Sequence, residues 1–585
     1  MNNRFTILLA VGVLAWASGA GAVELRPVGV LGNSGCAGDS LFKMLSIGYP
    51  GGVALDDDLT LWHTAAPDRL ERVSLDGRLL AAYRIEGARM GNLGHNIRLA
   101  IIGDYIVSMN VHSGQFMAMR RDADPANDAM KPLKLDPPIQ FWYASGLGSH
   151  GIDGRAIIDS RTAVHAVDPA TGKTEKLFDT PQPLTEHGLE VAADGTIYAT
   201  SGRKTWALDK TGKILREGPG MWGRLCAVPG GIFGFNWNSA QYNTVSIAEP
   251  RNLFWNPGIE LGRLGQVAPV SASTFAFASQ AGPIYLGDLA GDHITFTRRY
   301  GAITLNALGL TSDDEVFASW YGGTEAWHWD GPADAVPFHA QGFVDTLSVR
   351  QIASHGRWTF GIKQSYRATE PMQVWAWPPT RYGILYSKLE GERPARPLGM
   401  TVTATEVVTA TETAAAGKLL VISAENDREL YFTEARDDGY VNGNVRKLAW
   451  AGGNPLKAPG DLAAWTQGRV AVADGNAIVM LEPAGDTWKQ SWRLSSWGAK
   501  LDERFGDELH IAITGDSLLV SDTQRRRVLL FSLPERKLLG QLGQTDAAGT
   551  SVGAFDQPAQ LAANGLRVAV FDRGNQRIVK CDIKP

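Results

Sequence analysis

Three histidines stand just before short apolar segments of the sequence. His95 lies in "GHNIRL", His150 in "SHGIDG" and His187 in "EHGLEV". Imidazoles that come together from separate segments can bind a metal ion, and a single imidazole can act as a general base near neutral pH. The pattern predicts that these histidines are ligands of a divalent metal ion (Zn²⁺ or Ca²⁺) or catalytic acid and base groups.

A second group of residues has the chemistry of a ligand-binding surface. Aromatic residues are mixed with amides and charges in "QFWYASG", "FNWNSAQYN", "SWYGGTEAWHW" and "VWAWPPTRY". Flat aromatic faces beside hydrogen-bond donors suit sugar rings, although they also suit protein partners or packing between sheets. The residues expected to bind substrate are Trp222, Arg224, Trp237, Tyr321, Arg350, Glu508 and His510, with Asp461 as a further candidate.

Other motifs give weaker signals. "GLGSHG" at 146–151 matches G-x-G-x-x-G, but the strand-like "IDGRAIID" follows it. A dinucleotide site needs a helix at that point, so the glycines are expected to serve a loop between blades. "DADPAND" at 122–128 could bind Ca²⁺, although its spacing is not that of a calcium loop. HExxH and paired CxxC motifs are absent from the sequence, which argues against zincins and zinc ribbons.

A repeat along the chain must position these residues. Apolar stretches of alternating pattern end at Asp572, Asp522, Asp474 and Glu425, at intervals of 50, 48 and 49 residues. Eight earlier stretches, less regularly spaced, bring the number to twelve. Gly-containing turns such as "LDGR" and "KTGK" accompany them and suit tight hairpins. Four-stranded meanders that recur every 40 to 50 residues or so are typical of propeller blades.

The last blades resemble the NHL-type repeat. "ANGLRVAVFDRGNQRIVKC" carries its apolar strand, polar turn and arginine, including Asn575 and Arg577, and "GDSLLVSDTQRRRVLLF" carries Asp522 and Arg527. The resemblance covers about 135 C-terminal residues and about the first 60. It implies a β-propeller, most often with six blades. It also implies a breadth of function, because the family includes binding domains and a few enzymes, such as lactonases and a metal-dependent lyase.

We therefore expect an all-β chain of two tandem six-bladed β-propellers with four-stranded antiparallel blades. The first would span residues 23–290 and the second 291–585, with a low-complexity loop at 401–418. "HITFTRRYG" (293–301) would open the second ring as an outer strand, and each ring would close by pairing its first strand with its last. One larger propeller, or an interleaved arrangement in which the first and last repeats share a ring, is the alternative.

Residues 1–22 have the features of a secretory signal peptide. Arg4 precedes the apolar "FTILLAVGVLAW", and "AGA" stands before Val23. We expect no membrane span in the mature chain, because no other apolar run is long enough, and a secreted or periplasmic location. Lys and Arg number 56 against 61 Asp and Glu, which argues against a nucleic-acid partner. Three widely spaced cysteines do not form a disulfide framework.

These observations predict an exported β-propeller protein that binds a carbohydrate or another small polar ligand at the mouth of a propeller channel. Such a site could also support a polysaccharide lyase or hydrolase reaction, in which Trp222 and Arg224 would position the substrate. The alternative is an NHL-like, non-enzymatic scaffold that binds a protein of the cell envelope. The sequence leaves open whether the chain is an enzyme.

Overall fold

The chain is built from β-strands in the computed structural model. The first of them is β1 (Glu24–Leu31), and two single-turn 3₁₀ helices lie at Thr466–Gly468 and Leu501–Glu503. Within the described residues, no helix has the length and apolar character needed to cross a membrane. The structure describes residues 23–31, 51–64, 69–75, 79–86, 97–110, 115–142, 145–185, 188–221, 223–228, 231–235, 241–243, 252–255, 264–279, 284–300, 307–320, 323–331, 338–339, 349–355, 358–363, 372–377, 385–392, 397–405, 417–424, 427–436, 438–575 and 577–584.

The first half of the chain forms successive antiparallel sheets, or blades, that we call the first ring. Five of these blades begin with the strand nearest the ring centre and end with the outermost strand, whereas in the third blade a segment around Leu147 lies on the inner side of the first strand. The strands are β2 (Val53–Leu55), β3 (Thr60–Thr64), β4 (Arg69–Ser74) and β5 (Leu79–Ile85); β6 (Ile97–Ile102), β7 (Tyr105–Asn110), β8 (Gln115–Arg120) and β9 (Ala129–Pro132); β10 (Ala156–Asp159), β11 (Ala163–Val167) and β12 (Thr174–Asp179); β13 (Leu189–Val191), β14 (Ile197–Thr200), β15 (Lys204–Leu208) and β16 (Ile214–Pro219); β17 (Arg224–Val228), β18 (Gly231–Phe235), β19 (Gln241–Asn243) and β20 (Asn252–Trp255); and β21 (Leu264–Pro269), β22 (Thr274–Ser279), β23 (Ile284–Ala290) and β24 (His293–Tyr300).

The second half forms a further set of blades, the second ring. Its strands are β25 (Ala307–Leu310), β26 (Glu315–Trp320), β27 (Gly323–His328) and β28 (Phe338–His339); β29 (Val349–His355), β30 (Trp358–Lys363), β31 (Gln373–Trp377) and β32 (Leu385–Lys388); β33 (Glu390–Gly391), β34 (Pro397–Thr405), β35 (Gly417–Ala424), β36 (Leu430–Ala435) and β37 (Asn444–Lys447); β38 (Pro459–Ala464), β39 (Val470–Asp474), β40 (Ile478–Ala484) and β41 (Thr487–Leu494); β42 (Leu509–Thr514), β43 (Ser517–Asp522), β44 (Arg527–Ser532) and β45 (Lys537–Leu542); and β46 (Pro558–Asn564), β47 (Arg567–Asp572) and β48 (Arg577–Lys584).

Tight turns between the first two strands of a blade follow the predicted glycine positions. Thr514 pairs with Ser517, and Asn564 pairs with Arg567, so each hairpin has a two-residue loop. Gly515 and Gly565 in these loops have φ values of 54° and 57°, a conformation that glycine adopts without strain. The hairpin turns predicted from the repeat are therefore present in these blades.

Neighbouring innermost strands close each set of blades on itself. In the first ring β2 contacts both β6 and β21, and β17 contacts β13 and β21. The third blade contacts the fourth through β10, which lies behind its innermost segment, and β13. The second and third blades share a buried apolar cluster that includes Ala100, Met109, Leu147 and Ile158. In the second ring the contacts run through β25, β29, β34, β38, β42 and β46, and return from β46 to β25. This closed arrangement of antiparallel blades is that of a β-propeller.

The terminal strands pair differently from the tandem expectation. β1 is hydrogen-bonded along its length to β48, from Glu24↔Lys584 to Leu31↔Ile578, and so completes the blade of β46 to β48. β24 pairs with β23 in the first ring instead of opening the second, and the expected boundary between residues 290 and 291 falls inside that hairpin. The division into 23–290 and 291–585 therefore does not follow the sheets. The pairing is that of the interleaved alternative.

The repeated aspartates of the last blades have one structural role. Asp474, Asp522 and Asp572 are buried, and each accepts hydrogen bonds from backbone N–H groups of the loop that leads into its blade. Each also contacts an arginine of its own blade, respectively Arg493, Arg527 and Arg577. The fourth position of the series, Glu425, lies outside the described residues. The 48- and 50-residue intervals thus correspond to a carboxylate that anchors the beginning of each blade.

Candidate functional site

Several residues predicted to form the site lie outside the described residues. These are His95, His187, Trp222, Trp237 and Tyr321. Arg350 lies on β29, where the structure describes only its backbone. The innermost strands β6, β13 and β17 each begin two residues after His95, His187 and Trp222, respectively. The predicted position of His95, His187 and Trp222 before innermost strands therefore agrees with the strand boundaries. The functional roles of these residues remain predictions.

His150 belongs to the innermost segment of the third blade in the first ring. Leu147 and Ile152 in this segment form bridges with Ile158 and Arg155. The Nδ1 atom of His150 lies 3.1 Å from the backbone carbonyl oxygen of Val191 on β13. A proton on Nδ1 satisfies that carbonyl and leaves Nε2 as the basic nitrogen of the ring. Such an imidazole can bind a metal ion or accept a proton through Nε2.

The glycines of "GLGSHG" allow this segment to approach its neighbour. A Cβ on Gly146 would lie 2.8 Å from Cβ of Leu189, and a Cβ on Gly148 would lie 2.4 Å from Cγ2 of Val191. Both clashes are with β13, so these glycines serve packing between innermost segments. Apart from an isolated bridge at Leu147, the segment has no strand and lies between β9 and β10, so the glycines belong to a tightly packed connection between blades. The motif is followed by strand β10, as its sequence predicted, instead of the helix that a dinucleotide would need.

Two buried carboxylates beside this segment were not singled out from the sequence. Glu190 Oε1 accepts hydrogen bonds from the backbone N–H groups of Ser149, at 2.7 Å, and Val191, at 3.0 Å. Burial raises the pKa of Glu190. Burial also raises the pKa of Asp159 to about 6, although the hydrogen bonds that Asp159 accepts from the N–H of Gly146 and the indole of Trp142 lower it. The available signal was an acidic residue inside or at the end of an apolar strand, as in "LEV" and "AIID".

The acidic loop at 122–128 folds on itself. Asp124 accepts hydrogen bonds from the backbone N–H of Ala126 and the side-chain amide of Asn127, and Asp128 accepts one from the N–H of Asp124. Asp122 pairs with Arg120. No group of three metal-ligating side chains comes together anywhere among the residues whose placement is described. The acidic residues of this loop thus act as caps of their own turn.

The second ring encloses a cavity of about 230 Å³ along its axis. Strands β25, β29, β34, β38, β42 and β46 line it, mostly with alanine, glycine and other small or aliphatic residues. Each of these strands is the free edge of its sheet. A free edge presents backbone N–H and C=O groups with no strand partner, so this channel has a polar wall despite its apolar side chains.

Three polar residues occupy equivalent positions of successive innermost strands at one end of this channel. Each of them stands directly before the residue that pairs with a central valine of the next strand. Asp461 precedes the partner of Val472, His510 precedes the partner of Val520, and Gln560 precedes the partner of Val570. Asp461 and Gln560 line the cavity directly. The repeat therefore places a carboxylate, an imidazole and an amide at one level around the channel.

His510 lies between two carboxylates that come from different directions. Its Nδ1 atom is 3.8 Å from Asp461 Oδ2, and its Nε2 atom is 3.7 Å from Glu508 Oε1. Glu508 also accepts two hydrogen bonds from the guanidinium of Arg573, at 2.8 and 3.2 Å. We call Asp461, Glu508, His510 and Arg573 the mouth cluster. It links three successive blades at the end of the channel where the innermost strands begin.

The two carboxyl groups of the mouth cluster differ in their environments. The His510 ring and the Arg573 guanidinium lower the pKa of Glu508 to about 2, although partial burial opposes them. Burial raises the pKa of Asp461, against the effects of His510 and of the backbone N–H groups of Ile511 and Leu462. Glu508 is therefore a firmly ionised partner of Arg573, whereas Asp461 is a desolvated carboxyl that a further cation or donor would stabilise.

Some buried polar atoms around the channel have no hydrogen-bond partner within the described part of the chain. They are His510 Nε2, Gln560 Oε1 and Ser354 Oγ. A buried polar atom without a partner costs roughly 1–3 kcal/mol, so native proteins leave few of them. Water or a bound ligand in the channel can supply the missing hydrogen bonds.

The structure therefore brings together Glu508, His510 and Asp461, three residues singled out from the sequence of the second ring. It adds Arg573 and Gln560, which were not predicted. Gln560 could have been found from the repeat, because "PGDLAAW" and "PAQLAAN" align it with Asp461. Arg573 follows Asp572 in a turn, and its proximity to Glu508 depends on how two blades pack.

Comparison with known proteins adds little. No protein-family model matches the chain, and no curated protein matches it. Among solved structures, one titled as PorZ, an essential bacterial surface component of the type-IX secretion system of Porphyromonas gingivalis, is similar over 92% of this chain and 80% of that chain, with 12% identity and a TM-score of 0.35. A nidogen/laminin complex is similar over 44% of this chain and 89% of that chain, with 15% identity and a TM-score of 0.29. The propeller architecture rests on the strand pairing itself.

Proposed function

We propose that the chain is an exported protein of two interleaved six-bladed β-propellers that binds a carbohydrate or another small polar ligand at the mouth of the second ring's channel. One observation carries the proposal. Gln560 and Ser354 line a central cavity, and each has a buried polar atom without a partner in the described residues. The export part rests on the signal-peptide features of residues 1–22, which support a secreted or periplasmic location.

The size and the polarity of the channel favour a small polar molecule. Its volume of about 230 Å³ lies below the roughly 300–1,000 Å³ of pockets for drug-sized ligands. The free strand edges, Asp461 and Gln560 offer hydrogen bonds on several sides, as a hydroxyl-rich ligand requires. A monosaccharide unit has both the size and the number of polar groups that this site can satisfy.

The direct test measures binding of monosaccharides by calorimetry to the native protein and to Gln560→Leu. We expect the substitution to weaken binding about tenfold or more, because a lost hydrogen bond in a buried site is worth roughly 1–2 kcal/mol. Gln490→Leu is the matched control, since Gln490 is exposed on the outer strand β41. Equal affinity in the two variants would contradict the proposed site. A native protein that binds no sugar would favour the envelope-protein scaffold instead.

A second candidate function places a divalent metal in the first ring, with His150, His95 and His187 as ligands. The observation that favours it is the contact of His150 Nδ1 with the carbonyl of Val191, which orients Nε2 as a ligand. Bound Zn²⁺ or Ca²⁺ would make a lyase or hydrolase reaction on a polysaccharide feasible. Arg224, buried at the beginning of β17, and Trp222 would then position the substrate.

Elemental analysis of the natively purified protein tests this candidate. We expect a near-stoichiometric divalent metal that the His150→Ala substitution removes. His165→Ala is the control, because His165 lies on β11 and its Nε2 atom contacts Ser160 Oγ at 3.0 Å. A native protein without metal, or a His150→Ala variant that retains it, would rule the metal site out.

A further inference from the structure

Among the described residues, a single side chain supplies the charge inside the second ring's cavity. Asp461 is the one ionisable group among the described residues that line the cavity. Its side chain is 18% exposed, so water screens its charge only in part. A carboxylate in such a place is stabilised by a nearby cation or by several hydrogen-bond donors.

The protein's own groups satisfy this carboxylate incompletely. Its oxygens accept hydrogen bonds from the neutral backbone N–H groups of Ile511, at 3.0 Å, and Leu462, at 2.9 Å. His510 Nδ1 lies 3.8 Å away, which is too far for a hydrogen bond. The guanidinium of the mouth cluster, that of Arg573, is occupied by Glu508 and by the side-chain oxygen of Gln557. Burial accordingly raises the pKa of Asp461.

Two other side chains on the cavity wall have buried polar atoms that can accept a hydrogen bond. Gln560 Oε1 is buried and has no donor among the described residues, and the Ser354 hydroxyl can accept as well as donate. An ammonium group has three N–H donors, no acceptor and a positive charge. It therefore complements a carboxylate and an amide oxygen that belong to the lining of one cavity. A carboxylate or phosphate of a ligand would instead face Asp461, with no basic side chain among the described lining residues.

We propose that the second ring's channel selects a small polar ligand bearing a primary amine, such as an amino sugar, and binds its ammonium group between Asp461 and Gln560. This inference rests on the proposed function, because it assumes that a small polar ligand occupies the channel. It adds the charge of that ligand and the side chain that recognises it. Asp461 is then the residue that determines specificity at this site.

Three probes with the same ring and different charge test the inference by calorimetry at pH 7: glucosamine, glucose and glucuronate. We expect glucosamine to bind at least about tenfold more tightly than glucose, and glucuronate to bind more weakly than either. Equal affinities for glucosamine and glucose, or tighter binding of glucuronate, would overturn the amine selectivity and leave the proposed sugar site standing. Failure of all three probes to bind would overturn both.

Two variants assign the selectivity to the cavity. Asp461→Asn should reduce the preference for glucosamine over glucose to less than about threefold. Asp556→Asn is the control and should retain the preference, because Asp556 pairs with Arg526 in the loop before β46 and does not line the cavity. Gln560→Lys adds a cation to the wall of the cavity that Asp461 also lines, and it should remove glucosamine binding. This variant keeps the test valid if Asp461→Asn does not fold. Retention of full selectivity in folded Asp461→Asn, or undiminished glucosamine binding in Gln560→Lys, would contradict the proposal.

Discussion

Replacing Leu31 with aspartate should destabilise the second ring by more than about 3 kcal/mol, because the substitution buries an unpaired charge and removes a large apolar side chain. Leu31 is fully buried at the end of β1, in an apolar cluster with Trp327, Phe571 and Ile578. It therefore contacts the first blade of the second ring as well as the last. Urea unfolding followed by circular dichroism and tryptophan fluorescence measures the change.

A control on the same strand separates docking of β1 from a general effect of added charge. Val28 also lies on β1, but it is 46% exposed, so Val28→Asp should change stability by less than about 1 kcal/mol. In Leu31→Asp, limited proteolysis should cleave within residues 307–584 before it cleaves within 53–300, since β1 pairs only with β48 among the described strands. Equal effects of the two substitutions would mean that β1 does not close the second ring.

The sequence could predict the blades because the information is local. The buried aspartates recur at fixed intervals, and two-residue turns with glycine stand where the hairpins form. Burial patterns such as "VAVAD", with all five residues buried, distinguish central strands from exposed outer strands such as "ILREGP". An all-β propeller follows from those features without reference to any contact between blades.

Ring closure could not be predicted in the same way, because it depends on contacts between distant parts of the chain. β1 and β24 both have the pattern of an outer strand, and either could complete a blade that lacks one. In the structure β24 is already the fourth strand of its own blade, so the first ring needs no terminal strand. Among the described strands, β1 pairs with the outer edge of the blade of β46 to β48.

The same distinction applies to the site in the second ring. Glu508 and His510 could be singled out because polar residues stand at the beginning of an apolar innermost strand. Arg573 could not, because its contact with Glu508 joins residues 65 positions apart in the chain. In the first ring, the beginnings of β6 and β13 agree with the predicted positions of His95 and His187 before innermost strands. Of the three histidines, His150 is the one whose side-chain contacts are described.

Removing the guanidinium of Arg527 should cost about 3–5 kcal/mol, because it leaves the buried carboxylate of Asp522 without its cation. Arg527 and Asp522 are almost fully buried, and two guanidinium nitrogens of Arg527 lie 3.0 and 3.1 Å from Asp522 Oδ2. Arg527 also donates hydrogen bonds to the backbone carbonyls of Asp502 and Arg504, and it stacks over the Trp497 ring at 5.0 Å. Thermal and urea unfolding of Arg527→Met measure the loss.

The pH dependence of this loss identifies its cause. Burial raises the pKa of Asp522, and Arg527 opposes that rise. Without the arginine, the folded variant should bind a proton that the unfolded chain releases near pH 4, so its stability should fall as the pH rises from 4 to 7. Adding Asp522→Asn should recover part of the loss at pH 7. Arg526→Met is the control, because it removes a more exposed ion pair, with Asp556 at 3.4 Å. It should lower the free energy of unfolding by less than about 1 kcal/mol at either pH. The loss of stability in Arg527→Met could instead be independent of pH and unchanged by Asp522→Asn. That result would mean that Arg527 stabilises the fold through its stacking on Trp497 and its contacts with backbone carbonyls.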